Sequence, residues 1–145
     1  MTAAPAELNL VGDPAQPTVV VVDDDPDILD LLQIRLQRAG FEVFTYPDGQ
    51  AGADAVRDLR PDIAILDWML PGRSGLDICR EIRATPETRE TAILMITART
   101  QEPYREWGYQ AGCDRFLTKP FTGPDLLRMT SQLMARRQPT RPDAA

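Results

Sequence analysis

Short apolar runs, each closed by a polar residue and a turn signal, restrict the fold of this chain more than any other feature. They are Thr18-Val19-Val20-Val21-Val22, Ile63-Ala64-Ile65-Leu66, Ala92-Ile93-Leu94-Met95-Ile96 and the shorter Phe116-Leu117. Runs this short, bounded by Pro, Gly and Asp and rich in β-branched residues, read as strands. They do not alternate with polar residues, so both faces are buried, as in a parallel sheet. Glu42 to Tyr46 adds a further short strand.

Between the strands lie helical stripes. Ile28, Leu31, Leu32, Leu36 and Ala39 form one, stopped by Gly40; Ala51, Ala55, Val56 and Leu59 form a weaker one, because Gly49 and Gly52 lower its propensity. Leu76, Ile78, Cys79 and Ile82 form a third, and Leu126, Leu127, Leu133 and Met134 the last. Residues 101–111 read as a poor helix, since they include Pro103 and Gly108. Cap signals mark the helix starts: Asp25 before Pro26, Asp48, and the capping boxes Ser74/Asp77 and Thr122/Asp125. Strand and helix alternate five times, which predicts an α/β fold, a doubly wound parallel sheet with helices on both faces.

A chain of 145 residues suffices for one domain with a core. We assign that domain to residues 18–135, with a flexible arm at 1–17 and a polar tail at 136–145. A net charge of −6 argues against direct nucleic-acid binding, which needs a basic face. No apolar run reaches the roughly 20 residues of a membrane span, and residues 1–17 lack the charge and apolar core of a secretory signal. A cytoplasmic protein is the expectation. Cys79 and Cys113 have no metal or redox spacing and are expected to be free thiols. The chain contains no histidine, which excludes Ser-His or Cys-His catalysis and His-ligated metals. A metal here must be held by oxygen, which favours Mg2+.

Ligands of open parallel sheets bind at the carboxyl ends of the strands. The first strand delivers Asp23 and Asp24 there, the third Asp67, the fourth Thr97 and the fifth Lys119. Carboxylates gathered this closely repel by roughly 4 kcal/mol per pair at about 4 Å and an effective dielectric near 20. A divalent cation resolves the repulsion. With a lysine for an anionic oxygen and a hydroxyl donor, the set suits phosphoryl transfer to a carboxylate. Asp25 reads as an N-cap, and Trp68, Phe41 and Phe44 as core or rim packing.

These residues carry a resemblance. Val-Val-Asp23-Asp24-Asp25-Pro26, Ile65-Leu66-Asp67-Trp68-Met69-Leu70-Pro71-Gly72, Ile96-Thr97-Ala98 and Phe116-Leu117-Thr118-Lys119-Pro120-Phe121 resemble the receiver domain of bacterial two-component response regulators, from about Thr18 to Leu133. The resemblance implies a flavodoxin-like sheet in the strand order 2-1-3-4-5. It implies that Asp67 is the phosphoacceptor and that Asp24, Asp67 and the Met69 carbonyl bind Mg2+ directly, with Asp23 acting through water. Lys119 would contact the phosphoryl group, and Thr97 would be the switch hydroxyl. Phe116 stands where the family often has tyrosine; it can move like one but lacks the hydroxyl. The Lys119-Pro120 bond would be cis. The positions that tune phosphoryl lifetime in the family are here Met69 and Arg99, neither able to orient a water.

The implied function is a phosphorelay switch, not a turnover enzyme. It would be phosphorylated by a partner histidine kinase, since the chain has no donor histidine. It is expected to stand alone, without an output domain. A homodimer or partner contact would use residues 101–111, the fifth strand and the last helix. Arg115 and Met129 depart there from the charged pattern of the transcription-factor branch. Two other readings exist. Asp23-x-Asp25 superficially fits a Mg2+-dependent aspartate-nucleophile phosphohydrolase, although Pro26 follows where a small or hydroxyl residue belongs. An inactive pseudo-receiver would lack chemistry residues that are present here.

Overall fold

The runs become strands and the capped segments helices. A computed structural model describes residues 16–98 and 103–143. In chain order the elements are β1 (Thr18–Val22), α1 (Pro26–Arg38), β2 (Glu42–Tyr46), α2 (Gly49–Leu59), β3 (Ile63–Asp67), α3 (Gly75–Ala84), β4 (Ala92–Thr97), α4 (Tyr104–Ala111), β5 (Arg115–Thr118) and α5 (Gly123–Asp143). The strands form one parallel sheet in the order β2-β1-β3-β4-β5. This is the flavodoxin-like order that the receiver-domain resemblance implies.

Alternate residues of each central strand face opposite layers. Val20, Val22, Ala64, Leu66, Ile93 and Met95 pack under α2, α3 and α4, through Val56, Ile78, Ile82 and Ala111. Val19, Val21, Ile63, Ile65, Leu94 and Ile96 pack under α1 and α5, through Leu32, Leu36, Leu126 and Leu133. Truncating any one of these four buried leucines to Ala costs about 2–5 kcal/mol.

Local chemistry sets the helix ends. Asp25, Asp48 and Ser74 accept hydrogen bonds from Asp27 N, Ala51 N and Asp77 N, each worth about 1 kcal/mol. Thr122 and Asp125 bond reciprocally, completing the second capping box. Helix α1 ends where Phe41 N–H donates to Leu36 O and Gly40 N–H to Gln37 O, with Gly40 at φ 100°. That turn delivers Phe41 into the core.

Three details differ from the sequence reading. The expectation that Gly52 merely weakens α2 misses its role, because a Cβ there would lie 2.4 Å from Val22 Cγ2; the bare Cα lets α2 close onto β1. The backbone of α5 continues to Asp143, past the expected start of the tail at 136. Met134, Ala135, Arg136, Arg137 and Gln138 are all good helix formers and carry the helix onward. The poor helix at 101–111 is a helix from Tyr104 to Ala111, whose start at Pro103 has no side-chain cap. Most of the arm (residues 1–15) and Arg99 lie outside the described residues.

Candidate active site at the carboxyl edge of the sheet

Parallel register brings the predicted residues to one edge. Val22 pairs with Leu66, so Asp23 follows beside the end of β3; Asp67 pairs with Ile96, and Thr97 pairs with Thr118, just before Lys119. Carboxylate oxygens of Asp23, Asp24 and Asp67 lie within 4.8 Å of one another.

The three carboxylates differ in surroundings. Asp23 is 1% exposed, and its Oδ1 accepts from Asp25 N at 2.9 Å. Its Oδ2 is buried without a hydrogen bond: Lys119 Nζ stands 3.1 Å away as an ion pair, not aligned as a donor. Asp67 is 6% exposed; Lys119 Nζ donates to its Oδ2 at 3.2 Å and Met69 N to its Oδ1 at 3.4 Å. Asp24 is exposed and opens to solvent.

Burial first, and the Asp23 charge second, raise the Asp67 carboxyl to about 6 against the opposing pull of Lys119. Burial disfavours the Lys119 ammonium, but Asp23 and Asp67 outweigh it and hold the ammonium above its ordinary value. Three acids against one lysine leave the edge negative. A hard divalent cation answers the excess negative charge.

Thr97 is buried, and its carbonyl accepts from Lys119 N at 3.0 Å, tying the ends of β4 and β5 together. The Lys119-Pro120 peptide is cis. Phe116 lies elsewhere. It points into the layer under α2, α3 and α4, with ring centroids 6.4 Å from Trp68 and 5.0 Å from Tyr109. Trp68 also meets Tyr104 edge-on at 5.9 Å. The tryptophan following Asp67 therefore joins the carboxylate edge to Phe116 and α4. The sequence reading assigned Trp68 to core or rim packing, and it is buried in that layer. Asp25 is exposed, and its carboxylate caps α1 as expected.

A family model for the response regulator receiver domain matches residues 19–131. The phosphate regulon transcriptional regulatory protein PhoB of Rhizobium meliloti is 39% identical over 123 residues, covering 85% of this chain and 54% of that protein. The chain thus spans about half the length of this curated relative. Among solved structures, the chemotaxis response regulator CheY4 of Vibrio cholerae has a TM-score of 0.79 at 29% identity, covering 82% of this chain and 99% of that one. The receiver domain of a sensor histidine kinase from Pseudomonas aeruginosa has a TM-score of 0.77 at 29% identity, over 83% and 99% of the two chains. The BeF3-activated DrrB receiver domain has a TM-score of 0.73 at 33% identity, over 83% and 98%. The family match runs from the second residue of β1 into α5 and so contains all the edge residues described above; this chain belongs to the response regulator receiver domain family of two-component systems.

Proposed function

We propose that this receiver domain is a phosphoacceptor switch in which Asp67 takes a phosphoryl group from the phosphohistidine of a partner kinase. The observation that carries the reading is Lys119 Nζ, 3.2 Å from Asp67 Oδ2 and 3.1 Å from Asp23 Oδ2, with Asp24 in the same cluster. An Asp67 oxygen attacks phosphorus as the phosphorus–nitrogen bond to the donor imidazole breaks, and that bond's electron pair leaves with the nitrogen. Lys119 and the Thr97 hydroxyl balance charge on the phosphoryl oxygens. With its carboxyl at about 6, Asp67 is largely ionised and nucleophilic at neutral pH.

The donor set fits Mg2+: oxygen ligands only, within 4.8 Å, one of them buried without a hydrogen bond. Asp24, Asp67 and the Met69 carbonyl would hold the ion, with Asp23 through water. Bound Mg2+ supplies charge neutralisation for the transferring phosphoryl group. The Pseudomonas aeruginosa relative is described with a magnesium ion coordinated in its active-site cleft, which supports this assignment.

Phosphorylation would draw Thr97 toward the phosphoryl oxygens and bias a two-state equilibrium of α4, β5 and α5. Trp107 and Tyr109 are exposed on α4, an available surface for a partner or a second copy. The phosphohydrolase reading is disfavoured by Asp25, whose carboxylate is occupied in capping α1. Among the described residues no helix is long and apolar enough to cross a membrane.

Incubation with acetyl phosphate and Mg2+, read by intact mass, tests the proposal. Wild type should gain one phosphoryl group and Asp67→Asn none. Turnover without an adduct would favour the hydrolase, and no reaction the inactive module.

A further inference from the structure

Gly49, the first residue of α2, stands outside the carboxylate cluster but touches the loop leading out of β3. Its N–H donates to Pro71 O at 3.2 Å. A Cβ on Gly49 would lie 2.5 Å from the Arg73 carbonyl oxygen and 3.0 Å from Arg73 Cβ. These atoms belong to, or are rooted on, the backbone and cannot swing aside as a flexible side chain would. Gly49 does not have a positive φ, so its value here is room, not conformational freedom.

The start of α2 is itself anchored. Asp48 Oδ1 accepts from Ala51 N at 2.8 Å, and Asp48 O from Gly52 N at 3.0 Å. From the other side, α3 holds the same loop: Gly75 N donates to Trp68 O at 2.9 Å, and Arg73 pairs with Glu81 at 2.6 Å. Residues 68–74 are therefore gripped between two helix starts. Met69, Leu70 and Pro71 in this loop line a cavity of about 430 Å3 together with Asp24. Pro71, which Gly49 holds, thus belongs to the same wall as Met69 and Asp24.

We infer that Gly49 is a positioning residue for the metal site: by admitting the Arg73 carbonyl and bonding Pro71, it places the loop that carries the Met69 carbonyl. The inference rests on the proposed Mg2+ site. Groups that orient metal ligands from behind typically change affinity by roughly tenfold or more when altered.

The test is Mg2+ titration of the full chain by tryptophan fluorescence, with metal-free circular dichroism and thermal unfolding as the check on folding. Gly49→Ala should raise the Mg2+ dissociation constant about tenfold while keeping the metal-free fold. Val56→Ala, buried in the same helix but away from the loop, should lower thermal stability and leave Mg2+ affinity unchanged. Asp48→Ala loosens the first turn of α2 without adding an atom, and should weaken Mg2+ binding to a smaller extent. If Gly49→Ala does not fold, Asp48→Ala decides. Wild-type Mg2+ affinity in the deciding variant overturns the inference, as does an equal loss in Val56→Ala. A wild type that binds no Mg2+ overturns the metal site itself, a result distinct from these.

Discussion

Lys119 Nζ donates to Asp67 Oδ2 at 3.2 Å, closing a contact across 52 residues of sequence. The same ammonium stands 3.1 Å from Asp23 Oδ2, so one positive charge separates two buried carboxylates. Lys119→Met removes that charge and leaves the acids facing each other. We expect metal-free stability to fall by about 1–3 kcal/mol, the usual penalty for stranding buried polar partners. Mg2+ should restore part of it, while phosphorylation slows. Thermal unfolding with and without Mg2+ measures the first effect; equal losses in both buffers would contradict it.

Asp24 should behave oppositely in stability. It is the exposed member of the cluster, so Asp24→Ala relieves repulsion at little cost in packing. The variant should be as stable as wild type or more so without metal, and should bind Mg2+ more weakly. Fluorescence titration reports on it, because Trp68 adjoins Asp67; an unchanged curve argues against a ligand role.

Met69 is 63% exposed beside the proposed phosphoacceptor and has no group to orient an attacking water. We predict a long-lived phosphoryl group in wild type. Met69→Asn supplies an amide and should shorten its lifetime. Decay of the phosphorylated species, followed by intact mass after donor removal, should be faster in the variant.

The thiols give a pH prediction. Burial pushes Cys79 up to about 12 and Cys113 likewise to about 12. In the unfolded chain a thiol ionises near pH 8.5. Between these values the native state holds more protons than the unfolded state, so stability falls as pH rises from about 9 toward 12. The contribution is complete below about pH 8.5. Cys79→Ala with Cys113→Ala should flatten this alkaline slope. A disulfide reagent at neutral pH should label neither thiol until the protein unfolds; rapid native labelling would contradict the burial.

For the output surface, Trp107→Glu places a charge on the exposed face of α4; Met129, the position singled out in the sequence, is partly buried against the α1–α5 core layer and does not report on that face. If α4, β5 and α5 mediate self-association or partner docking, sedimentation with a phosphate mimic should show a smaller species for the variant than for wild type, or loss of partner binding. Identical behaviour in both assays would remove this face from the proposal.

The positions of the strands, the helix caps at Asp25, Asp48, Ser74 and Thr122, and the polar residues at the strand ends were legible in the sequence alone. They are local properties: β-branched runs, turn residues and cap spacings act over a few neighbours. Because parallel strands share one direction, knowing which residues end them was enough to collect Asp23, Asp24, Asp67, Thr97 and Lys119 on one edge. What the tertiary structure decided is how those groups meet. The pairing of Asp23 Oδ2 with Lys119, the placement of Phe116 against Trp68 and Tyr109, and the fit of Gly49 against Arg73 depend on distances between segments far apart in sequence. No local pattern encodes such distances. Gly49 and Gly52 show this most directly: their helix propensity is a property of the residue, whereas the room they leave has meaning only once β1 and the loop after β3 have packed against them.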